Sequence, residues 1–334
     1  MKAIGFRKSL PIAENESLID YELPAPEPRE RDLIVEIRAV SVNPVDTKMR
    51  MRGVPAGETK ILGFDAAGVV KSVGKAATLF KPGDEVFYAG SNIRPGTNAE
   101  LHAVDERIVG RKPKKLSFAE AAALPLTSIT AWELLFDRFR IPRSGAKGSI
   151  LVIGGAGGVG SIMIQLARKL TGLTVIATAS RPETIKWCTE LGAHHTVDHS
   201  KPLPAELKRI GIPEVNYVAS LTQTAKHYPS IPDLIAPQGA FGLIDDPGSL
   251  DIMPLRRKCV SAHWEGMFTR STFTTPDIQA QHDLLNEVSG MVDAGTLRTT
   301  MTRNLGRIDA ANLKKAHALI ESGTTIGKIV LEGF

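Results

Sequence analysis

The tightest constraint on this chain is seven residues long. Gly154-Gly-Ala-Gly-Gly-Val-Gly160 follows the apolar run Ser149-Ile-Leu-Val-Ile153 and opens an amphipathic stretch over 159–170. A glycine turn between a strand and a helix is how a dinucleotide is bound. Gly155, Gly157 and Gly160 satisfy GxGxxG, which supplies a tight turn, a backbone bare of side chains and close helix–strand packing. Gly158 and Val159 begin the helix, whose amides are then aimed at a pyrophosphate. Further apolar segments at 173–177, 214–218 and 239–243 alternate with helical patterns such as 182–191. Buried strands alternating with helices predict an α/β domain with a doubly wound parallel sheet over 127–262.

The second strand reports which dinucleotide. A site for NAD places Asp or Glu at its end, about 20 residues past the glycines, to bind the ribose 2′-hydroxyl. Val175-Ile-Ala-Thr-Ala-Ser-Arg181 carries no acid at its tip. Ser180 and Arg181 instead offer a hydroxyl and a planar cation suited to a 2′-phosphate, so the expected cofactor is NADPH. His199, after the third strand, lies either beside the adenosine end or simply at the surface. Because ligands bind at the carboxyl ends of parallel strands, Leu221 in Ser220-Leu-Thr222 and Ile244 after 239–243 are further candidates.

The flanks have another texture. Before residue 127, short Val/Ile-rich segments alternate with turns such as Lys81-Pro-Gly-Asp84, which predicts a mostly-β barrel or sandwich. After 262 come helical patterns at 277–294 and 309–321 and a last strand at 326–331. The simplest account is a nucleotide domain inserted into, or following, a first domain that the later residues complete. Several classes are excluded. No apolar run reaches the roughly 18–20 residues of a spanning helix, so no membrane is expected. The first residues lack a signal-peptide pattern, which makes the cytoplasm the expected location. A net charge of +5 without a Lys/Arg block argues against nucleic acid. Cys188 and Cys259 are too few for a disulfide scaffold or a four-thiolate zinc site, and both are expected buried, Cys259 within a strand.

Lys2-Ala-Ile4, Ser41-Val-Asn-Pro-Val-Asp46, Gly63-Phe-Asp-Ala-Ala-Gly68, Pro82-Gly-Asp-Glu-Val86, Thr130-Ala-Trp132 and the glycine loop, in this order, resemble the medium-chain dehydrogenase/reductase superfamily. Within it the chain looks like the quinone oxidoreductase branch. His263-Trp-Glu-Gly-Met-Phe-Thr-Arg270 and Gly327-Lys-Ile-Val-Leu331 look like the zinc-type alcohol dehydrogenase-like proteins. The resemblance implies a GroES-like catalytic domain at 1–126 and 263–334, a Rossmann NADP(H) domain at 127–262, and a homodimer through an edge strand near 257–262.

In relatives that hold a catalytic zinc, the three ligand positions match Asn43, Phe64 and Leu126 here. Phe and Leu have no lone pair to give, so no metal is expected. Without a Lewis acid, a quinone or enone is an easier acceptor than an alcohol or aldehyde couple, because the developing charge delocalises onto a distant oxygen. The resemblance nominates Asn43 as a donor in the catalytic cleft, Tyr88 as a donor of a proton or hydrogen bond, and Thr127 as a contact to the nicotinamide. It leaves Asp46 to hold the turn and adds Phe268 and Lys328 as cofactor contacts. The expected function is NADPH-dependent reduction of a quinone or other α,β-unsaturated carbonyl. The alternatives are an NADPH-binding sensor with little turnover, or an enoyl-thioester reductase.

Overall fold

Six strands pair in parallel around Ser149–Ile153, every residue of which is buried, as a central strand requires. From one edge the order is His195–Val197, Thr174–Thr178, Ser149–Ile153, Val215–Ser220, Ile235–Leu243 and Ser261–Trp264. In sequence order this is 3-2-1-4-5-6, the doubly wound arrangement whose strand order reverses beside the first strand. The helix Gly158–Leu170 follows directly, buries Gly160 through Ala167, and closes with Arg168 and Lys169 against its negative end. These elements lie in the compact unit Thr130–Met267 of a computed structural model that describes residues 1–55 and 57–334.

Two expectations in this unit fail locally. The apolar neighbours of Cys259 predict a buried strand, yet Cys259 is exposed. It closes the 3-10 turn Met253–Lys258 at φ 51°, and the chain straightens only at Ser261. Arg256 and Arg257 are exposed on that turn, Lys258 ties it to the Ile235 carbonyl at 2.8 Å, and the edge strand is Ser261–Trp264 rather than a run near 257–262. Cys188, by contrast, is buried in the helix Pro182–Glu190, and burial pushes its thiol up to about 12, so it is inert.

The second unit, Met1–Ile129 with Phe268–Phe334, is built on the eleven-residue strand Asp32–Val42. One edge of that strand pairs antiparallel with Asp65–Val73. The other is shared: residues 32–36 pair with Leu101–Asp105, and residues 39–42 with Lys328–Glu332. The late strand thus completes a sheet begun near residue 32. Glu85–Tyr88, Val109–Arg111 and Met301–Asn304 extend it to seven strands, and Lys2–Phe6 centres a separate three-stranded sheet. The core between them includes Ile4, Phe6, Leu33, Val35, Val40, Val86, Leu313, Ile329 and Leu331, which joins residues from both ends of the sequence. The helices expected at 277–294 and 309–321 are Ala280–Asp293 and Ala310–Glu321. Among the described residues, no helix is long and apolar enough to cross a membrane.

Candidate active site

The glycine turn is fixed by its own geometry. Gly154 sits at φ 85°, in the left-handed region, and its N–H donates to Thr178 Oγ1 at 3.0 Å. A Cβ on Gly160 would stand 2.4 Å from the Gly154 carbonyl oxygen and 2.6 Å from that of Gly155, so helix and turn touch backbone to backbone. At Gly157 the nearest atom to such a Cβ is 3.4 Å away, which leaves the approach to the turn open. The first-turn amides, those of Gly158, Val159 and Gly160 included, have no intrahelical acceptor. An open glycine face beside unpaired amides fits a dinucleotide pyrophosphate. Leu221 and Thr222 pack over Gly154, and Leu221 donates its N–H to Ile153 O at 3.1 Å. Ile244 donates likewise to Ser220 O at 3.3 Å, one position past its strand.

At the end of the second strand the structure brings together Ser180, Arg181 and His199. Ser180 Oγ lies 3.2 Å from His199 Nε2, and Thr178 Oγ1 lies 3.2 Å from His199 Nδ1. The Arg181 guanidinium is partly exposed, with its Nε 3.1 Å from Glu183. His227 adds a second imidazole, its ring 6.1 Å from that of His199 and nearly perpendicular to it. Burial, then the Lys226 ammonium, holds the His227 imidazole below its ordinary value. His199 is lowered too, chiefly by burial and then by Lys226 and Arg181, against the opposing pull of Asp198. Sequence reasoning missed Lys226 and His227. Their signal was position alone, since the short helix Thr224–His227 follows the carboxyl end of the fourth strand.

In the unit built on Asp32–Val42, Asn43, Asp46, Asp65 and Lys328 form one buried polar cluster. Asp65 is its centre. One carboxylate oxygen accepts the Leu126 N–H at 2.7 Å; the other accepts Asn43 Nδ2 at 2.8 Å and lies 3.1 Å from Lys328 Nζ. Lys328 Nζ also donates to Val42 O at 3.0 Å and to Asn43 Oδ1. Burial raises the Asp65 carboxyl and lowers the Lys328 ammonium, while their mutual attraction opposes both shifts. With three donors on Asp65 and no acceptor, the ionised pair is the form this geometry fits. Asp46 holds the turn before the helix Pro44–Arg52, accepting the Asn43 N–H at 2.8 Å and the Gly63 N–H at 3.0 Å. Burial raises its carboxyl to about 7.

The nominated donors are all engaged within this unit. Asn43 Nδ2 spends its two hydrogens on Asp65 and, at 3.4 Å, on Ser41 O. The three hydrogens of Lys328 are met by Val42, Asn43 and Asp65, which leaves none for a cofactor. Thr127 Oγ1 donates to Leu124 O at 3.0 Å. Tyr88 is fully buried, its hydroxyl 3.0 Å from His102 Nδ1. His102 Nε2 faces the Pro95 carbonyl at 3.0 Å and so carries the ring proton; Nδ1 is then the acceptor and Tyr88 donates. Burial drives the Tyr88 phenol well above its ordinary value and His102 down to about 4. Phe268 is half-buried with its ring 4.8 Å from that of Phe64.

The comparisons with known proteins agree with this architecture. Residues 29–129 match the family described as alcohol dehydrogenase GroES-like domain, and residues 191–331 the family described as zinc-binding dehydrogenase. A zinc-type alcohol dehydrogenase-like protein of Staphylococcus aureus (strain MSSA476) is 40% identical over 335 residues, covering 99% of each chain. The NADPH-dependent alkenal/one oxidoreductase of Arabidopsis thaliana chloroplasts is 38% identical over 193 residues, 55% of this chain and 49% of that one. Among crystal structures, a Rhizobium etli CFN 42 protein described as a zinc-dependent alcohol dehydrogenase superposes with TM-score 0.96 at 61% identity, covering 100% of this chain and 98% of the other. A quinone oxidoreductase of Pseudomonas syringae superposes with TM-score 0.84 at 25% identity over 99% of both chains.

The zinc in several of those descriptions does not fit the residues here. Of the three positions that the resemblance sets against zinc ligands, Asn43 has its amide tied to Asp65 and Lys328, and Phe64 and Leu126 offer no side-chain lone pair. The carboxylate beside them already holds the Lys328 ammonium. No group of three or more His, Cys, Asp or Glu among the described residues could hold a metal ion. By full-length identity, matched domains and superposed fold, this chain belongs to the medium-chain dehydrogenase/reductase superfamily, in the quinone oxidoreductase-like branch with the zinc-type alcohol dehydrogenase-like proteins.

Proposed function

We propose that this chain is an oxidoreductase that uses NADPH to reduce quinones or other α,β-unsaturated carbonyl compounds without a catalytic metal. The observation that carries the reading is the basic tip of Ser180, Arg181, His199 and Lys226, where a site for NAD would hold an acid. The Arabidopsis relative, named for NADPH and alkenals or enones, and the Pseudomonas neighbour, named for quinones, support the acceptor class. Bound NADPH supplies a hydride, which reduces an enone at its β-carbon. The amides of Gly158, Val159 and Gly160 hold the pyrophosphate, and Arg181 and Lys226 neutralise the 2′-phosphate. Because the hydrogens of Asn43, Tyr88 and Thr127 are engaged on protein acceptors, the reduced acceptor takes its proton from water. Asn43 is a positioning residue that ties the turn before Pro44 to Asp65 and Lys328.

Two measurements test this reading. With stereospecifically deuterated NADPH, the label is expected on the β-carbon of the reduced enone, at a rate EDTA leaves unchanged. Elemental analysis of protein prepared without a histidine tag is expected to find far less than one zinc per chain. Turnover abolished by chelation would overturn the metal-free chemistry, and no reduction across a quinone and enone panel would favour a sensor. Arg181→Ala is expected to weaken NADPH about ten- to a hundredfold, the order for losing one charge-assisted phosphate contact, while NADH binding changes little. Equal losses for the two cofactors would show that Arg181 does not read the 2′-phosphate.

A further inference from the structure

Neither a pyrophosphate nor a hydride calls for the paired imidazoles at the end of the nucleotide-binding sheet. His199 has both ring nitrogens on hydroxyls, Thr178 Oγ1 and Ser180 Oγ, each at 3.2 Å. A hydroxyl can donate or accept. Both bonds can therefore persist whether His199 is neutral or a cation, and protonation needs no rearrangement of the loop. His227, buried beside it with its ring 6.1 Å away, has the second titratable nitrogen pair of the cluster.

The charged groups around the two rings come from four segments. Arg181 faces His199 from the second strand's tip and is itself partnered by Glu183. Asp198 precedes His199, Lys226 acts on both rings from the short helix Thr224–His227, and Asp245 acts on His227 from beyond the fifth strand. Asp198 is already held by the Ser200 amide and hydroxyl, and Asp245 by the Thr224 amide and hydroxyl. Burial and the neighbouring cations therefore keep the free site's imidazoles neutral near pH 7. An incoming phosphate carries about −1.5 to −2 charges at that pH, which reverses the local field.

We propose that His199 and His227 take up protons when the 2′-phosphate of NADPH enters this cluster, so that pH as well as fixed charge sets the choice between NADPH and NADH. The inference rests on the NADPH reading above and adds a linkage to it. An opposite charge within reach favours the protonated imidazole by about 1–3 pH units, and NADH, with a hydroxyl in place of the phosphate, offers no such charge. Proton uptake on binding means that affinity rises as pH falls towards the free imidazoles' own range. The gain ends near pH 6, where the phosphate takes a proton itself.

Titration calorimetry of the full chain in buffers of different ionisation enthalpy, at pH 7.2, reads the uptake directly. About half to one proton per NADPH is expected, and close to none per NADH. The ratio of NADH to NADPH dissociation constants should grow about three- to tenfold between pH 8.0 and 6.5. His199→Gln/His227→Gln, which keeps amide hydrogen bonding, should abolish the uptake while Arg181 preserves part of the preference. On the unaltered protein, NADPH should move two imidazole proton resonances towards the protonated position in an NMR titration. NADPH preferred with no uptake, unmoved imidazole resonances, or a double variant with undiminished uptake would each overturn the proposal alone. No preference for NADPH at any pH would overturn the NADPH reading beneath it.

Discussion

Lys328→Met is expected to destabilise the unit built on Asp32–Val42 by about 3–5 kcal/mol, the usual cost of removing one partner from a buried ion pair. The loss is large because the ammonium serves three acceptors at once. Without it the Asp65 carboxylate keeps only the Leu126 and Asn43 donors, and the Val42 carbonyl and Asn43 Oδ1 lose a charged partner in a place water does not reach. Each buried group left unpaired is itself worth about 1–3 kcal/mol. Adding Asp65→Asn to Lys328→Met removes the stranded charge and should recover most of the loss. Urea unfolding followed by far-ultraviolet circular dichroism across the four members of this double-mutant cycle measures the coupling. A single-variant loss below about 1 kcal/mol would mean that the pair carries little of the unit's stability.

Gly160→Ala should have the larger effect on cofactor binding. The added methyl would lie 2.4 Å from one carbonyl oxygen of the turn and 2.6 Å from the next, both main-chain atoms that cannot swing aside like a side chain. Either the helix backs away from the strand or the turn deforms, and both misplace the amides meant for the pyrophosphate. A hundredfold loss of affinity corresponds to about 2.7 kcal/mol, and at least that is expected for NADPH and NADH alike. Equal loss separates this variant from Arg181→Ala, which should split the two cofactors. Gly157→Ala is the natural control for the fold, since its methyl would meet only one oxygen, at 3.4 Å, in the free protein. Cofactor titrations by fluorescence quenching decide the matter. Undiminished binding by Gly160→Ala would show that the close approach of helix and turn is not what shapes the site.

What could be read in advance follows from how far apart the partners are in sequence. The glycine turn needs only consecutive residues, and its strand, bend and helix can be recognised together in about twenty positions. The basic tip was half legible: Ser180 and Arg181 adjoin the second strand, whereas Lys226 and His227 belong to no motif and arrive through strand order. The cluster around Asp65 was not legible as a cluster. Asn43 is 22 residues from Asp65, Leu126 is 61 away, and Lys328 is 285 from Asn43. A resemblance could nominate Asn43 and Lys328 separately, one facing an acceptor and one facing a cofactor, but not their bond to each other. Tyr88 has the same history, because its partner His102 lies across a loop and an alternating strand pattern is silent about it. Cys259 misled because Cys-Val-Ser-Ala has the composition of a strand, whereas a residue at φ 51° ends the preceding turn first.

The pairing of residues 39–42 with Lys328–Glu332 also sets a timetable for synthesis. Thr130–Met267 is one uninterrupted stretch, so all of its partners leave the ribosome together and it can close on itself while translation continues. The unit that begins first finishes last. Val42 waits 286 residues for the lysine that will bond its carbonyl, and over that interval residues 39–42 remain unpaired on one edge of Asp32–Val42. At the elongation rates usual for cells, about 5–20 residues per second, the delay is on the order of tens of seconds. A nascent chain with an open strand edge is exposed to intermolecular pairing throughout that period. The ammonium that later neutralises Asp65 therefore arrives on the same segment that seals the edge, and one late event completes both the charge pair and the sheet.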